Sequence, residues 1–318
     1  MAGERTTVTR WGIFIVAAGA ALWAVDAPIR KPLTEVLPAT AIVLAEHLVL
    51  ALYALPLVWW HRRSFASLSG PAWLTLLAIA WGASGLATVL FTTAFRIGNP
   101  TTVILLQKVQ PLVAVLLAAL FLRERLPRLY WPCFAVALTG AYLVSFGRAA
   151  LEPLWLLPEE RVLTALLALG AAALWGSATV LGRYLLGTLS FPTLAAARFL
   201  LALPFLAVLA AVEGTLVQTV TVGFAREASR LIVLALVPGL LAMLIYYAGL
   251  RQTAASYATL GELAYPALAI IVNWFLLGAT IDGWQAVGFV LLWSAITALG
   301  WIPSPVVASE TRAAAPTS

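Results

Sequence analysis

Five ionisable side chains other than histidine fall within long apolar stretches of this 318-residue sequence: Asp26, Glu46, Lys108, Arg198 and Glu262. On insertion scales, a charged side chain at the centre of a membrane-spanning helix costs at least about 2.5 to 3.5 kcal/mol. Such groups therefore usually face a bundle interior, a water-filled cavity or a partner of opposite charge. The placement of these charges predicts a polar site enclosed by apolar helices.

The charges fall at matching depths in the helices predicted below. At a rise of about 1.5 Å per residue, Glu46 and Lys108 lie roughly 10 to 12 Å below the outer face, and Arg198 and Glu262 lie roughly 9 to 11 Å from the inner face. We hypothesise two symmetry-related ion pairs that act either as gates or as substrate ligands. One joins Glu46 to Lys108, and the other joins Arg198 to Glu262. Alternatively, the pairs only satisfy helix packing, and Arg198 extends to the inner surface.

Neighbouring polar residues extend this candidate site. Gln107 and Gln110 adjoin the lysine, and they either line a cavity or form interhelical hydrogen bonds, which are worth only about 0.6 kcal/mol on average in membranes. His47 titrates near neutral pH, so Glu46, His47 and Glu262 are candidates for proton coupling. A hydrogen-bonded histidine on a helix face explains His47 as well.

Five aromatic residues are candidates for the wall of the cavity. Trp23 and Trp175 occupy matching internal positions, and Tyr246, Tyr257 and Tyr265 cluster near the carboxylate of the ninth predicted helix. An aromatic wall beside a carboxylate and an ammonium group suits an amphipathic zwitterion or an organic cation. Aromatic packing between helices is an equally good explanation of the two tryptophans.

Two prolines, Pro111 and Pro266, lie about midway along corresponding predicted helices. Each removes a backbone hydrogen bond and should kink its helix. The kinks are either moving parts or static bends.

The amino-acid composition indicates whether this chain folds in water or in a lipid bilayer. Hydrophobic residues make up 63% of it and charged residues 10%, with a mean hydropathy of +0.98, whereas soluble domains are about 45 to 50% apolar and about 25% charged. The arginines stand singly between apolar runs, so the net charge of +6 indicates membrane topology and no nucleic acid partner. The composition therefore predicts an all-α integral membrane protein whose partner is the lipid bilayer.

The apolar runs and the polar residues that flank them predict ten transmembrane helices. Their bounds are 11–29, 39–60, 72–95, 100–121, 128–147, 162–183, 192–212, 230–250, 255–277 and 283–302. Three segments remain outside them, namely an N-terminal tail (1–10), an inter-repeat loop (148–161) and a disordered C-terminal tail (303–318).

The distribution of basic residues predicts the orientation. With the N-terminus in the cytoplasm, the inner segments hold ten Lys and Arg residues and the outer loops seven, which favours two cytoplasmic termini. Arg30 and Lys31 are counted in the first outer loop, one turn after Asp26. For Asp26 we therefore expect an interfacial salt bridge.

An internal repeat is the most informative feature of the sequence. A shift of 152 residues places Trp23 on Trp175 and Glu46 on Arg198, and a shift of 155 residues places Pro111 on Pro266. The repeats are 11–147 and 162–302, each with five predicted helices. Because five is odd, the second copy must enter the membrane from the opposite side, which predicts inverted repeats with a site near the midplane. A first segment that matches an internal helix is structural and no cleaved signal peptide.

The sequence resembles the EamA family of the drug/metabolite transporter superfamily. The resemblance rests on the two five-helix copies, on the turn at 95–102 that leads into 105–112, and on the run Arg123, Glu124 and Arg125 close after the fourth predicted helix. It implies a ten-helix carrier without a cofactor, of the kind that exports amino acids and related metabolites. The second copy lacks the Arg-Glu-Arg run at 278–282, so any role of that turn is not duplicated.

These observations predict a secondary transporter in the bacterial inner membrane, monomeric or homodimeric, that exports a small amphipathic metabolite by alternating access. A membrane-embedded enzyme is the first alternative, but the chain has only two histidines, a single cysteine, Cys133, and no HExxH or P-loop motif. We therefore expect no enzymatic activity, catalytic residue or metal site. The second alternative is a membrane sensor without transport activity.

Overall fold

A computed structural model describes residues 11–98, 103, 106–107, 109–146, 160–265, 268 and 283–302. The predicted tails, most of the inter-repeat loop, Lys108 and Pro266 lie outside the described residues. Every regular element within them is helical, which confirms the all-α fold class for this part of the chain.

The main helices follow the predicted apolar runs, and the short helical segments between them are left unlabelled, namely Arg62–Ala66, Leu216–Gln218 and Thr219–Phe224. They are α1 (Gly12–Val36), α2 (Ala39–Trp60), α3 (Gly70–Ile97), α4 (Gln110–Phe121), α5 (Tyr130–Phe146), α6 (Glu160–Leu185), α7 (Phe191–Val212), α8 (Ala228–Leu250), α9 (Ala255–Gly261) and α10 (Gly283–Trp301). Six of them, α1 to α3 and α6 to α8, are long and apolar enough to cross a membrane.

The end of α1 differs from the prediction. The helix was expected to stop at residue 29, but it continues to Val36 after a 3₁₀ turn at Trp23–Val25. That turn restarts the helix at Asp26, so Pro28 falls in a first turn, where its missing N–H is not needed. The assignment of Arg30 and Lys31 to an outer loop was therefore wrong, because both lie within α1.

The main helix contacts between the two halves have counterparts between the corresponding helices of the repeat. The pair α1 and α8 corresponds to α6 and α3, while α2 packs on its own counterpart α7, and α5 packs on α10. Thr40 at the start of α2 bonds to Glu213 after α7, and the Tyr53 hydroxyl donates to the Pro192 carbonyl at 3.4 Å. The counterparts α2 and α7 are therefore antiparallel.

Glycines permit the closest of these approaches. A Cβ on Gly19 of α1 would lie 2.6 Å from the Tyr246 nitrogen, and a Cβ on Gly140 of α5 would lie 2.6 Å from the Leu292 nitrogen. Small residues at helix contacts are typical of bundles in lipid. There the hydrophobic effect does not drive helix association, and close van der Waals packing of the backbones stabilises it instead. Large apolar side chains face outward, for example Leu52 and Val212, which are 77% and 80% exposed.

Two counterpart helices leave α-helical geometry in the same region. Wider π-helical turns occupy Ala78–Leu86 in α3 and Ala235–Leu241 in α8. A shift of 155 residues places the first stretch on 233–241, almost on the second. Pro238 provides a cause in α8, because it cannot donate a helical hydrogen bond. Such turns are frequent at functional sites.

The turn after α4 connects the two halves. Arg123 adopts a left-handed conformation, with φ of 54°, and the buried Glu124 side chain then reaches the start of α9. Its carboxylate accepts hydrogen bonds from the backbone N–H groups of Ala255 at 2.8 Å and Ser256 at 3.2 Å, and from the Ser256 hydroxyl. A carboxylate is favourable at a helix N-terminus because it pairs with otherwise unsatisfied N–H groups. This turn therefore positions α9.

Candidate functional site

A cavity of about 160 Å³ lies between helices of both halves. The irregular turns of α1, α3 and α8 all contribute to its wall, through Trp23, Ser84 and Gly239 among others. Irregular backbone is tolerated at membrane depth where it lines a cavity. Ten predicted site residues line it: Trp23, Glu46, His47, Gln107, Gln110, Trp175, Arg198, Tyr246, Glu262 and Tyr265.

Glu46 belongs to a buried charge cluster with Arg30 and Asp26. The Arg30 guanidinium donates to both Asp26 carboxylate oxygens at 2.7 Å and to Glu46 Oε2 at 3.2 Å. Its third nitrogen donates to the Thr92 hydroxyl at 3.1 Å. The Arg30 side chain is only 3% exposed, so this guanidinium is enclosed by its two carboxylates. The salt bridge expected for Asp26 exists, but it lines the cavity instead of the membrane interface.

Arg198 has different partners from those predicted. Its Nε donates to the Ser84 hydroxyl at 2.7 Å, and its Nη1 donates to the Tyr247 hydroxyl at 2.8 Å and to the Met243 sulfur at 3.3 Å. It forms no ion pair with Glu262, so that predicted pair was wrong. Hydroxyl groups of α3 and α8 bind Nε and Nη1 of the guanidinium in its place, and Arg198 is buried instead of extending to the inner surface.

Glu262, after α9, is held by several neutral donors. Gln110 Nε2 donates to its Oε2, while the hydroxyls of Tyr246 and Thr179 donate to its Oε1 at 2.8 and 3.0 Å. Gln107 also lines the cavity, and its buried Oε1 accepts no hydrogen bond from the described residues. Gln110 therefore combines the two roles considered for it, because it lines the cavity and bonds to another helix.

His47 has one defined proton position. Its Nδ1 lies 2.8 Å from the Val43 carbonyl oxygen, which can only accept, so Nδ1 carries the hydrogen. The buried Nε2 has no hydrogen-bond partner among the described residues. The ring packs edge-on against Phe199, with 5.8 Å between centroids. Nε2 is therefore an unused acceptor when the ring is neutral.

The two internal tryptophans form aromatic walls. Trp23 packs on Tyr246 with ring centroids 5.4 Å apart, and Trp175 packs on Phe91 at 5.0 Å. Trp175 also donates its indole N–H to the Ala83 carbonyl at 2.9 Å, within the irregular part of α3. The tryptophans thus line the cavity and pack between helices.

Two predicted site residues lie away from their expected positions, and two more lie outside the described residues. Tyr257 does not line the cavity; it packs against Tyr130, with centroids 5.5 Å apart, because it falls on the side of α9 that faces α5. Pro111 lies in the first turn of α4 rather than midway along a regular helix, where its missing N–H is tolerated. Lys108 and its pairing with Glu46 lie outside the described residues, as does the predicted kink at Pro266.

Sequence reasoning missed Arg30, Ser84 and Thr179. Arg30 is four residues after Asp26, the spacing of a helical ion pair, but the first predicted helix ended at residue 29 and Arg30 was assigned to the following loop. Thr179 is four residues after Trp175 and therefore shares its helix face. Ser84 gave no signal, because its position depends on the π-helical turn.

The cavity presents groups suited to an organic molecule. Within the described residues, no group of three or more His, Cys, Asp or Glu side chains is arranged to hold a metal ion. Cationic, anionic and amide groups instead line a pocket that also has flat aromatic walls. This combination suits a ligand that has both an apolar ring and a polar or charged group.

Comparisons with known proteins agree with this description. The sequence pattern of the EamA-like transporter family matches residues 10–146 and, separately, residues 162–301. The riboflavin transporter ImpX of Fusobacterium nucleatum subsp. nucleatum is 32% identical over 210 residues, which are 64% of this chain and 66% of that protein. One solved crystal structure shares the fold with a TM-score of 0.70 at 16% identity, over 93% of this chain and 98% of that chain.

Proposed function

Because this chain belongs to the EamA-like transporter family, which matches both of its halves, we propose that it is a secondary transporter that exports a small amphipathic metabolite by alternating access. The chain is an integral membrane protein and a membrane transporter, as the family and the apolar helices show. The observation that carries the finer proposal is the cavity, whose charged groups come from helices of both halves. A relative movement of the halves would expose these groups to each side in turn.

We propose ten transmembrane helices in two inverted repeats, 11–147 and 162–302. The antiparallel packing of the counterparts α2 and α7 supports an inversion, because counterparts of a parallel repeat would run in the same direction. Arg30 and Lys31 both leave the outer-loop count, because both lie within α1, and the basic residues are then ten inside and five outside. This supports cytoplasmic termini in a bacterial inner membrane.

The substrate that fits the wall has a planar apolar part and a polar end. Trp23 and Trp175 offer flat surfaces, while Glu262, Gln110 and Gln107 offer polar groups. Amino acid-like metabolites and organic cations are the classes inferred from the sequence. A flavin is a further candidate, because the relative that is 32% identical is named a riboflavin transporter.

We propose Glu46, His47 and Glu262 as the sites at which a proton gradient would couple to transport. All three line the cavity, so a change in protonation would act directly on the substrate site. His47 Nε2 accepts no hydrogen bond from the described residues, so it can take up a proton without losing the bond at Nδ1. Loss of gradient-driven transport in His47→Gln, with exchange transport retained, would support this role; unchanged gradient dependence in variants of all three residues would refute coupling here.

Reconstitution tests the transport proposal without a known substrate. Liposomes that contain the purified protein are loaded with a small-molecule extract of bacterial cells supplemented with riboflavin, and mass spectrometry identifies the compounds released. We expect selective release of one or a few amphipathic compounds, and its loss in Glu262→Gln, which removes the charge from a carboxylate in the cavity wall. Release equal to that from protein-free liposomes would refute the transporter and favour a sensor.

The control for that experiment is Arg230→Gln. Arg230 is 52% exposed and pairs with Glu227 in a surface salt bridge, away from the cavity. This variant should release the same compounds as the wild type. Chemical conversion of loaded compounds by the wild type would instead favour a membrane-embedded enzyme.

A further inference from the structure

Arg198 is a buried cation that the described part of the protein does not neutralise. Its side chain lines the cavity and is 5% exposed. The described partners of its guanidinium are two hydroxyl groups and a thioether, which carry no charge. Nη2 donates no hydrogen bond to any described residue. A cation in this setting is costly unless an anion joins it.

The repeat shows why Arg198 differs from its counterpart. A shift of 152 residues places Glu46 on Arg198, and the same shift places Arg30 on Gly182. The first half therefore contains a counter-ion for Glu46, whereas the second half has glycine at the corresponding position. The Tyr247 ring occupies that space, because a Cβ on Gly182 would lie 3.1 Å from Tyr247 Cε1. Gly182 itself therefore supplies no counter-ion to Arg198.

The other described charges around the cavity do not act as counter-ions for Arg198. Asp26 and Glu46 are held by Arg30, which binds both of them. The Glu262 carboxylate is held by Gln110, Tyr246 and Thr179, and it forms no ion pair with Arg198. The place beside Nη2 therefore suits an anionic group that enters through the cavity.

We propose that the transported molecule presents a carboxylate or a phosphate to Arg198, with Ser84 and Tyr247 fixing the guanidinium in position. This proposal rests on the proposed function and narrows its substrate class to amphipathic anions. A guanidinium forms directed, charge-assisted hydrogen bonds with carboxylate and phosphate oxygens. The aromatic side chains Phe199 and Trp175 also line the cavity and would contact the apolar part of the transported molecule.

Ligands that differ only in charge test the proposal. The purified full-length protein in detergent is titrated, at constant ionic strength, with phenylacetate, phenyl phosphate, 2-phenylethanol and phenethylammonium, and thermal unfolding is measured. We expect one or both anions to raise the unfolding midpoint, and neither the alcohol nor the ammonium compound to do so. The two anions distinguish a carboxylate site from a phosphate site.

Variants assign the effect to Arg198. Arg198→Gln should weaken anion binding by about tenfold to a hundredfold, the range expected for a lost charge-assisted hydrogen bond. Arg198→Lys keeps the charge and should retain part of the binding. Arg183→Gln is the matched control, because Arg183 is also buried but donates to the Thr253 carbonyl outside the cavity. It should bind as the wild type does.

Each outcome decides the matter. The proposal is overturned if no anion stabilises the wild type, if the ammonium or the alcohol stabilises it equally, or if Arg198→Gln binds the anion as tightly as Arg183→Gln. Should Arg198→Gln fail to fold, the charge series on the wild type and Arg198→Lys still decide. Release of only neutral or cationic compounds from the loaded liposomes would support transport but refute an anionic substrate. Anion binding without any release would refute transport.

Discussion

Substitution of Arg30 by methionine should be severely destabilising. The change keeps most of the side-chain volume but removes the cation that two carboxylates share, Asp26 at 2.7 Å and Glu46 at 3.2 Å. Removing one partner of a buried ion pair costs about 3 to 5 kcal/mol, because a charge is left without compensation in a medium of low polarity. The Thr92 hydroxyl also loses a donor. We therefore expect Arg30→Met to lower the free energy of unfolding by at least about 3 kcal/mol.

Unfolding in mixed micelles by titration with dodecyl sulfate, followed by circular dichroism, measures this change. The matched control is Arg230→Met, because Arg230 and Glu227 are also 2.7 Å apart but Arg230 is 52% exposed. Exposed pairs contribute only about 0 to 1 kcal/mol. In an Arg30→Met and Glu46→Gln double variant, removal of one carboxylate charge should restore about 0.5 to 3 kcal/mol. Equal costs for Arg30→Met and Arg230→Met would refute the argument that burial gives this cluster its energy.

Two further predictions concern the architecture. Glu124→Ala should lower the free energy of unfolding by about 1 to 3 kcal/mol, because buried N–H groups at the start of α9 lose their acceptor; a change within about 0.5 kcal/mol, typical of surface sites, would show that water or another group satisfies them. For the inverted repeat, single cysteines at Ser67 and Arg226, in the corresponding α2–α3 and α7–α8 connections, should react with impermeant reagents on opposite sides of the membrane when Cys133 is replaced by alanine. Labelling from the same side would refute the inversion.

The long helices could be predicted from the sequence because bilayer thickness sets their length. The bounds of α2 agree with the predicted 39–60, and those of α7 differ by one residue from 192–212. Each is a continuous apolar run with a clear polar flank or proline at its start. Prediction failed where the helix itself is irregular, as at the end of α1, because a 3₁₀ turn changes which residue begins the next helical segment.

The composition of the site was predicted better than its pairing. Depth along the helices placed Glu46 toward the outer face and Arg198 and Glu262 toward the inner face, and all three line the cavity. The depth of a residue in the membrane does not show the direction in which its side chain leaves the helix. That direction determines which side chains it contacts. The π-helical turns in α3 and α8 change that direction, so the bond from Arg198 to Ser84 was not visible in the sequence pattern.

The differences between the two halves bear on how a transport cycle is driven. Their helices make corresponding contacts, yet Asp26 and Arg30 of the first half correspond to Ala178 and Gly182 in the second. If both halves had the same polar groups, the outward-open and inward-open states of an inverted pair would be close in energy. One half has an enclosed charge cluster, and the other has a cation without a charged partner among the described residues. In the proposed alternating-access cycle, the two states would therefore expose different charges to water. A bound anion would act mainly on the half that contains Arg198, and so would change the balance between the states.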